Sequence, residues 1–208
     1  MLTLLGSKAT MGIVERRQRH KDEVKKDIIC AAWQMVKTDG WQSLSIRKIA
    51  DAIEYSVPVI YDHFENKEAI LIEFGRTGFQ LLTDRILEAK SEHTDPADQI
   101  MAIADAYWDF ALNNTEHYQL MFGIGMACCE FSKCLPEQLM FAEAVTESIQ
   151  SMIDKSGTEA NACLKYHTFW SVMHGLISIK INGNSVVDIE LNKMVLDDAI
   201  TGFIKNLK

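Results

Sequence analysis

Arg47, Tyr55, Tyr61, His63 and Lys67 stand close together in the chain, and each carries a group that donates hydrogen bonds to phosphate oxygens. Nothing around them suggests bond-making chemistry. The chain has no paired carboxylates in an apolar frame, no glycine-rich phosphate loop and no nucleophile elbow, so no catalytic residue is expected. The chemistry on offer is binding, and Ser45, Ser56, Val57 and Val59 complete the candidate contact set.

A second group with reactive potential is Cys128, Cys129 and Cys134; Cys30 and Cys163 lie apart from it. An odd number of cysteines without framework spacing reads as reduced thiols in a cytoplasmic protein. The three clustered thiols have two readings: small buried residues, or a thiol- or redox-responsive switch. No C-x-x-C pair or histidine spacing supports zinc, and no metal or other cofactor is expected.

The elements that must position the first group can be read from residues 44–64, LSIRKIADAIEYSVPVIYDHF. Ile46, Ile49, Ala50 and Ile53 make one apolar face of a short helix over 46–53, with Ser45 at its N-cap. The turn Glu54-Tyr55-Ser56 follows. A second short helix over 57–63, with Pro58 in its first turn, offers Ile60 and Phe64 to the same core. Two short helices sharing an apolar face across a tight turn form the unit that enters a major groove. Val57, Val59 and Asp62 then face outward, Tyr55 stands at the entry, and Arg47, Tyr61, His63 and Lys67 surround the helix as phosphate partners. An ordinary helical hairpin is the alternative on this pattern alone.

The rest of the chain reads as helix. Caps and breaks place helices at about 17–38, stopped by Asp39-Gly40, then at 67–91 behind Asn66, 96–113, 115–122, 136–155, 158–182 and 189–206. Residues 123–135 read as irregular. The fold class is therefore all-α, about nine helices. The expected organisation is an arm or start region over 1–15, a helix-turn-helix domain over 16–66, and a C-terminal domain over 67–208 connected by the helix 67–91. No apolar run approaches the ~18 residues of a membrane span.

The formal net charge is −8, unfavourable at first sight for a nucleic-acid binder. Its distribution answers the objection. Residues 1–70 hold 11 Lys and Arg against 10 Asp and Glu, whereas residues 71–208 hold 10 against 19. Phosphate binding needs a local basic face. The basic arm Arg16, Arg17, Arg19, Lys21, Lys25 and Lys26 supplies one, read as non-specific electrostatic help.

Residues 24–72 resemble the DNA-binding domain of the tetracycline-repressor (TetR) family. The resemblance is carried by Gly40-Trp41, by Leu44-Ser45-Ile46-Arg47-Lys48-Ile49-Ala50, and by the string YDHFENKEAIL from Tyr61 to Leu71. It implies that Ser56–His63 is the recognition helix, that Tyr61, His63 and Lys67 contact phosphate, and that Arg47 meets DNA from the preceding helix. The chain departs from the family in two places. Glu54 stands where the family often has Gly, so a turn needing positive φ would be strained there. Val59 stands where Thr or Ser is common; it cannot donate a hydrogen bond, but its methyls suit a thymine methyl.

The C-terminal half is rich in aromatic residues and methionine. Tyr107, Phe110, Met121, Phe122 and Met126 come from its first two helices and their exit. Phe141 and Val145 follow on the next helix, and Phe169, Trp170, Met173 and His174 on the one after. On the residues alone, a filled core and a ligand cavity are equally supported. The resemblance implies a cavity for a small apolar effector. It also implies a homodimer through the last two helices, for which Leu176, Ile177, Leu191, Val195, Ile200 and Phe203 are the candidates. Trp170, His174 and Gly175 further resemble a Trp-x3-His-Gly signature in one branch of the family; His174 reads as a hydrogen-bonded core histidine or a ligand contact. The expected function is a repressor binding a palindromic double-stranded operator as a homodimer, its two recognition helices ~34–36 Å or a multiple apart.

Overall fold

Val24, Ile28, Ala32 and Val36 recur at i, i+4 spacing and are all buried, which places one stripe of the first helix against its neighbours. The computed structural model of the chain describes residues 3–123, 135–183 and 189–207. The first helix, α1, spans Thr3–Asp39. It starts well before the expected Arg17 because no proline interrupts the segment and i, i+4 pairs such as Gln18–Asp22, 2.9 Å apart, can form along it. Gly40, at φ 76°, ends it and returns its N–H to Val36 O at 2.8 Å. A single 3-10 turn over Trp41–Ser43, absent from the sequence reading, leads to α2 (Ile46–Ala52) and α3 (Val57–Tyr61).

α4 spans Lys67–Ser91, and Asn66 caps it by accepting from the Ala69 N–H at 2.8 Å. α5 (Pro96–Asn113) is capped by Asp95, α6 spans Thr115–Met121, and α7 (Pro136–Ser156) ends at Gly157, φ 69°. α8 spans Ala162–Ile181 with Asn161 as its cap, later than the expected start at 158. The Thr158 hydroxyl bonds Ser156 Oγ at 2.9 Å and the Leu207 carbonyl at 3.2 Å, which holds this stretch off the helical path. α9 spans Ile189–Lys205. The described residues are thus all-α, without strands.

The chain forms two compact units, Met1–Leu71 and Ile72–Lys208, divided within α4 rather than before it. In the first, α1 packs on the 3-10 turn and on α2, and α2 on α3. In the second, α5 is central and packs on α6, α7, α8 and α9. One continuous cluster of buried apolar side chains fills that unit, from Phe79, Leu82 and Ile86 of α4 to Leu196, Ile200 and Phe203 of α9. Ion pairs close its rim, including Lys90–Glu147 at 2.6 Å, Lys155–Asp95 and Lys193–Asp105. None of the described helices is long and apolar enough to cross a membrane.

Candidate DNA-binding face and effector site

α2 and α3 are fixed from behind. Ile49, Ala50, Ile60 and Phe64 are buried, and Tyr55 N–H bonds Ala50 O at 3.0 Å across the turn. The turn contains the one non-glycine residue at positive φ among the described residues, Glu54 at φ 59°. That is the left-handed region, which costs an L-residue roughly 1–2 kcal/mol. The expectation attached to the missing glycine holds.

With the apolar side fixed, the polar side is presented outward. Arg47, Ser56 and Tyr61 are exposed, Tyr61 at 53%, and Tyr55 is exposed at 37%. Ser45, Val57, Val59, His63 and Lys67 are half-buried on the same segment. Ser45 and Ser56 occupy N-cap positions, yet neither side chain makes a cap hydrogen bond. Their hydroxyls are left for an outside partner. Lys67 opens α4, whose N-terminal N–H groups favour an anion. His63 has its pKa lowered by desolvation first and by the neighbouring Lys21 ammonium second, with Asp62 opposing. It therefore stands as a neutral donor beside the cations of α1. Lys25 reaches over the Phe64 ring at 5.6 Å, which ties that basic face to the helix-turn-helix.

The second unit gathers a different set. Tyr107, Phe122 and His174 surround Tyr118 at ring-centroid distances of 5.9, 4.7 and 5.9 Å, with Phe141 against Tyr107 at 5.7 Å and Trp170 against Phe122 at 6.2 Å. Trp170 and His174 stack at 5.1 Å and 8°. Within these rings runs a polar chain: Tyr107 Oη lies 3.3 Å from Tyr118 Oη, which lies 2.9 Å from His174 Nδ1, and His174 Nε2 lies 3.4 Å from Ser178 Oγ. Burial raises the pKa of Tyr107 and Tyr118 and lowers that of His174, so all three are neutral. Met121, Val145 and Met173 are buried in the same core. Phe169 pairs with Phe203 at 5.7 Å, and Phe110 lies under Arg85 at 5.8 Å. Among the described residues no cluster of His, Cys, Asp or Glu could hold a metal ion.

Residues 28–74 match the family described as bacterial regulatory proteins, tetR family, and residues 100–199 match the tetracyclin repressor-like C-terminal domain. The chain belongs to the tetR family. A curated relative, the HTH-type transcriptional activator FasR of Mycolicibacterium smegmatis, is 24% identical over 78% of this chain and 71% of its own. Among solved structures, the transcriptional regulator FadR of Bacillus subtilis in complex with stearoyl-CoA superposes with a TM-score of 0.69, at 16% identity over 85% of this chain and 98% of that one. AibR in complex with isovaleryl coenzyme A and operator DNA gives 0.59, at 12% identity over 85% and 95%. The protein is thus a helix-turn-helix, DNA-binding transcriptional regulator.

Of the residues expected at a dimer interface, three lie inside the single chain. Ile177, Ile200 and Phe203 are buried within the subunit, Ile177 and Ile200 completely, so they support the surface of α8 and α9 from behind. Leu176 is partly buried against the core. Leu191 and Val195 are 46% exposed and Met194 64%, and these hold the outer face of α9. α9 carries apolar residues both on its buried stripe, Leu196, Ile200 and Phe203, and on the exposed side with Leu191, Met194 and Val195, so apolar type alone does not separate the two. Met126 and the thiols Cys128, Cys129 and Cys134 lie outside the described residues. Neither Tyr118 nor Ser178 is among the residues singled out from the sequence. The spacing of His174 and Ser178, i and i+4 on one helix face, is the signal that would have found the second.

Proposed function

We propose that the protein is a homodimeric repressor that binds a palindromic operator through paired α3 helices and changes its affinity when an apolar, acyl-chain effector enters the second unit. The observation that carries the reading is the outward set Arg47, Tyr55, Ser56, Tyr61 and Lys67 on a helix-turn-helix whose other face is buried. The ring- and methionine-lined interior suits an acyl chain, and two proteins of this fold are solved with acyl-CoA. α4 joins the two units, so an effector that favours one setting of that helix would alter half-site spacing. The relative FasR carries the word activator in its name, so the sign of regulation belongs to the test.

Mobility shift on the DNA flanking the gene tests the reading. Tyr61→Phe and Lys67→Ala are expected to weaken binding to all sequences, and Lys67→Ala to lower the log-log salt slope by about 1. A reporter behind that DNA should fall when the protein is expressed. Unchanged affinity in both variants would remove the contact assignment, and a rising reporter would replace repression by activation.

A further inference from the structure

Arg17 and Lys21 stand seven and three residues before the buried Val24, so they fall on the same side of α1 as the stripe that packs on the helix-turn-helix. Lys25 continues the row at i+4. At 3.6 residues per turn the three cations share an arc of about 80°. The acids of this stretch, Glu15, Asp22, Glu23 and Asp27, all lie outside the arc, where Arg16 and Arg19 are interleaved with them. The charge of α1 is therefore sorted by face. It is basic without acid toward the helix-turn-helix and mixed on the other side.

The row also has a fixed place. Lys25 Nζ stands over the Phe64 ring at 5.6 Å, and Phe64 directly follows His63 of the candidate contact set. Lys21 is near enough to His63 to act on its charge. Arg17 lies further out, about 10 Å of helix axis before Val24, and Val24 is the first buried side chain of α1 among the described residues. Arg17 and Lys21 are exposed, and among the described residues neither takes part in an ion pair. The row thus starts at the edge of the candidate DNA-binding face and runs outward past the packed core. Its backbone is helical throughout. A helix with its side chains is about 10–12 Å across, whereas the minor groove of B-DNA is about 6 Å wide. A helical arm cannot enter that groove, so what its cations can reach is the phosphate ridge.

We propose that the row Arg17, Lys21 and Lys25 follows the phosphate backbone immediately outside the half-site met by α3, so that each subunit grips more duplex than its helix-turn-helix covers without reading the added bases. The inference rests on the operator-binding reading above and adds the extent of the site and the residues that set it.

Anisotropy titration of the full chain tests it on two duplexes from the DNA flanking the gene: the palindromic core alone, and the core with one more helical turn, about 10 base pairs, on each side. The unaltered protein is expected to prefer the longer duplex by about tenfold or more, whatever sequence the added turns carry. Arg17→Gln with Lys21→Gln should cut that preference to within about twofold and lower the log-log salt slope on the longer duplex by about 2 per subunit, with affinity for the core little changed. Arg16→Gln with Arg19→Gln removes the same charge from the mixed face and should keep most of the preference. Equal losses in the two double variants overturn the inference in favour of net charge alone. No preference in the unaltered protein, or a full preference without Arg17 and Lys21, removes the row from the role. A preference that follows the added sequence overturns backbone tracking in favour of base reading. If neither duplex binds even at low salt, the operator-binding reading itself fails.

Discussion

Glu54 illustrates how one residue connects backbone strain to binding. It holds φ 59° in the turn before α3, and its carboxylate lies on the segment proposed to face DNA phosphate. Glu54→Gly relieves the left-handed strain but adds unfolded-state entropy, so a gain of about 0.5–1 kcal/mol in urea unfolding is expected. Operator affinity should rise as well, because a negative charge leaves the interface. A loss of stability would show that the turn tolerates glutamate without strain. His63 gives a pH signature. Its pKa in the free protein lies below 6.5, so it is neutral near pH 7. Phosphate stabilises the imidazolium and raises that pKa in the complex, so the complex binds the proton more tightly than the free protein. Affinity should then increase as pH falls through the range around and below 6.5, and His63→Gln should flatten the profile. Folding runs the other way. A lowered histidine pKa means that the unfolded chain holds more protons, so stability declines as pH falls below 6.5. Opposite slopes in binding and unfolding separate the two effects. Glu54 was readable in the sequence because a positive-φ turn demands a residue type. The uncapped hydroxyls of Ser45 and Ser56 were not, since an N-cap residue type does not reveal whether its side chain bonds the helix or an outside partner.

At the scale of elements, α4 and α6 approach each other closely at one point. A Cβ on Gly78 would meet Met121 Sδ at 2.5 Å and His117 Nδ1 at 3.3 Å. The His117 Nδ1–H donates to the Phe74 carbonyl of α4 at 3.2 Å, which fixes the crossing. Alanine would gain about 1 kcal/mol in helix propensity and lose roughly 1–3 kcal/mol to overpacking, so Gly78→Ala should destabilise. In a Met121→Ala background the clash is gone and the same change should stabilise. A double-mutant cycle by urea unfolding should give a coupling of at least about 1 kcal/mol, and additivity would mean that the crossing is not tight. Helix positions were legible wherever a local device marks them: Pro96 and Pro136 at starts, Asn66 as a cap, Gly40 and Gly157 at ends. They were misread where tertiary bonds decide. Thr158 is drawn to the Leu207 carbonyl, and α1 continues through a stretch with few apolar residues to signal it. The hydrogen-bonded ring group was visible only as composition, because spacing along one helix cannot show that Tyr107, Tyr118 and His174 converge.

For the whole molecule, charge and symmetry set the terms. The excess of acid lies beyond residue 70, which favours a duplex at the N-terminal end of the chain. In the homodimer proposed above each recognition helix reads half a site, so specific affinity would depend on both copies. The outer face of α9 offers Met194 at 64% exposure, with Leu191 and Val195 at 46%, and on α8 a Cβ at Gly175 meets nothing within 4 Å in the single chain. An apolar surface of this kind beside a small residue suits close helix pairing between subunits. Met194→Glu with Val195→Glu places two like charges on that face without touching the buried layer of Ile177 and Ile200. Sedimentation should show a monomer, and operator affinity should drop by about 100-fold or more while weak low-salt binding to arbitrary DNA persists, because each subunit keeps its own phosphate contacts. Gly175→Ala sharpens the test. In the monomeric variant it should stabilise by up to about 1 kcal/mol, as an open helix position does. In the otherwise unaltered protein the new methyl would meet the partner and weaken the dimer. A protein that stays dimeric with both glutamates in place, and is stabilised by Gly175→Ala in either background, pairs through another surface.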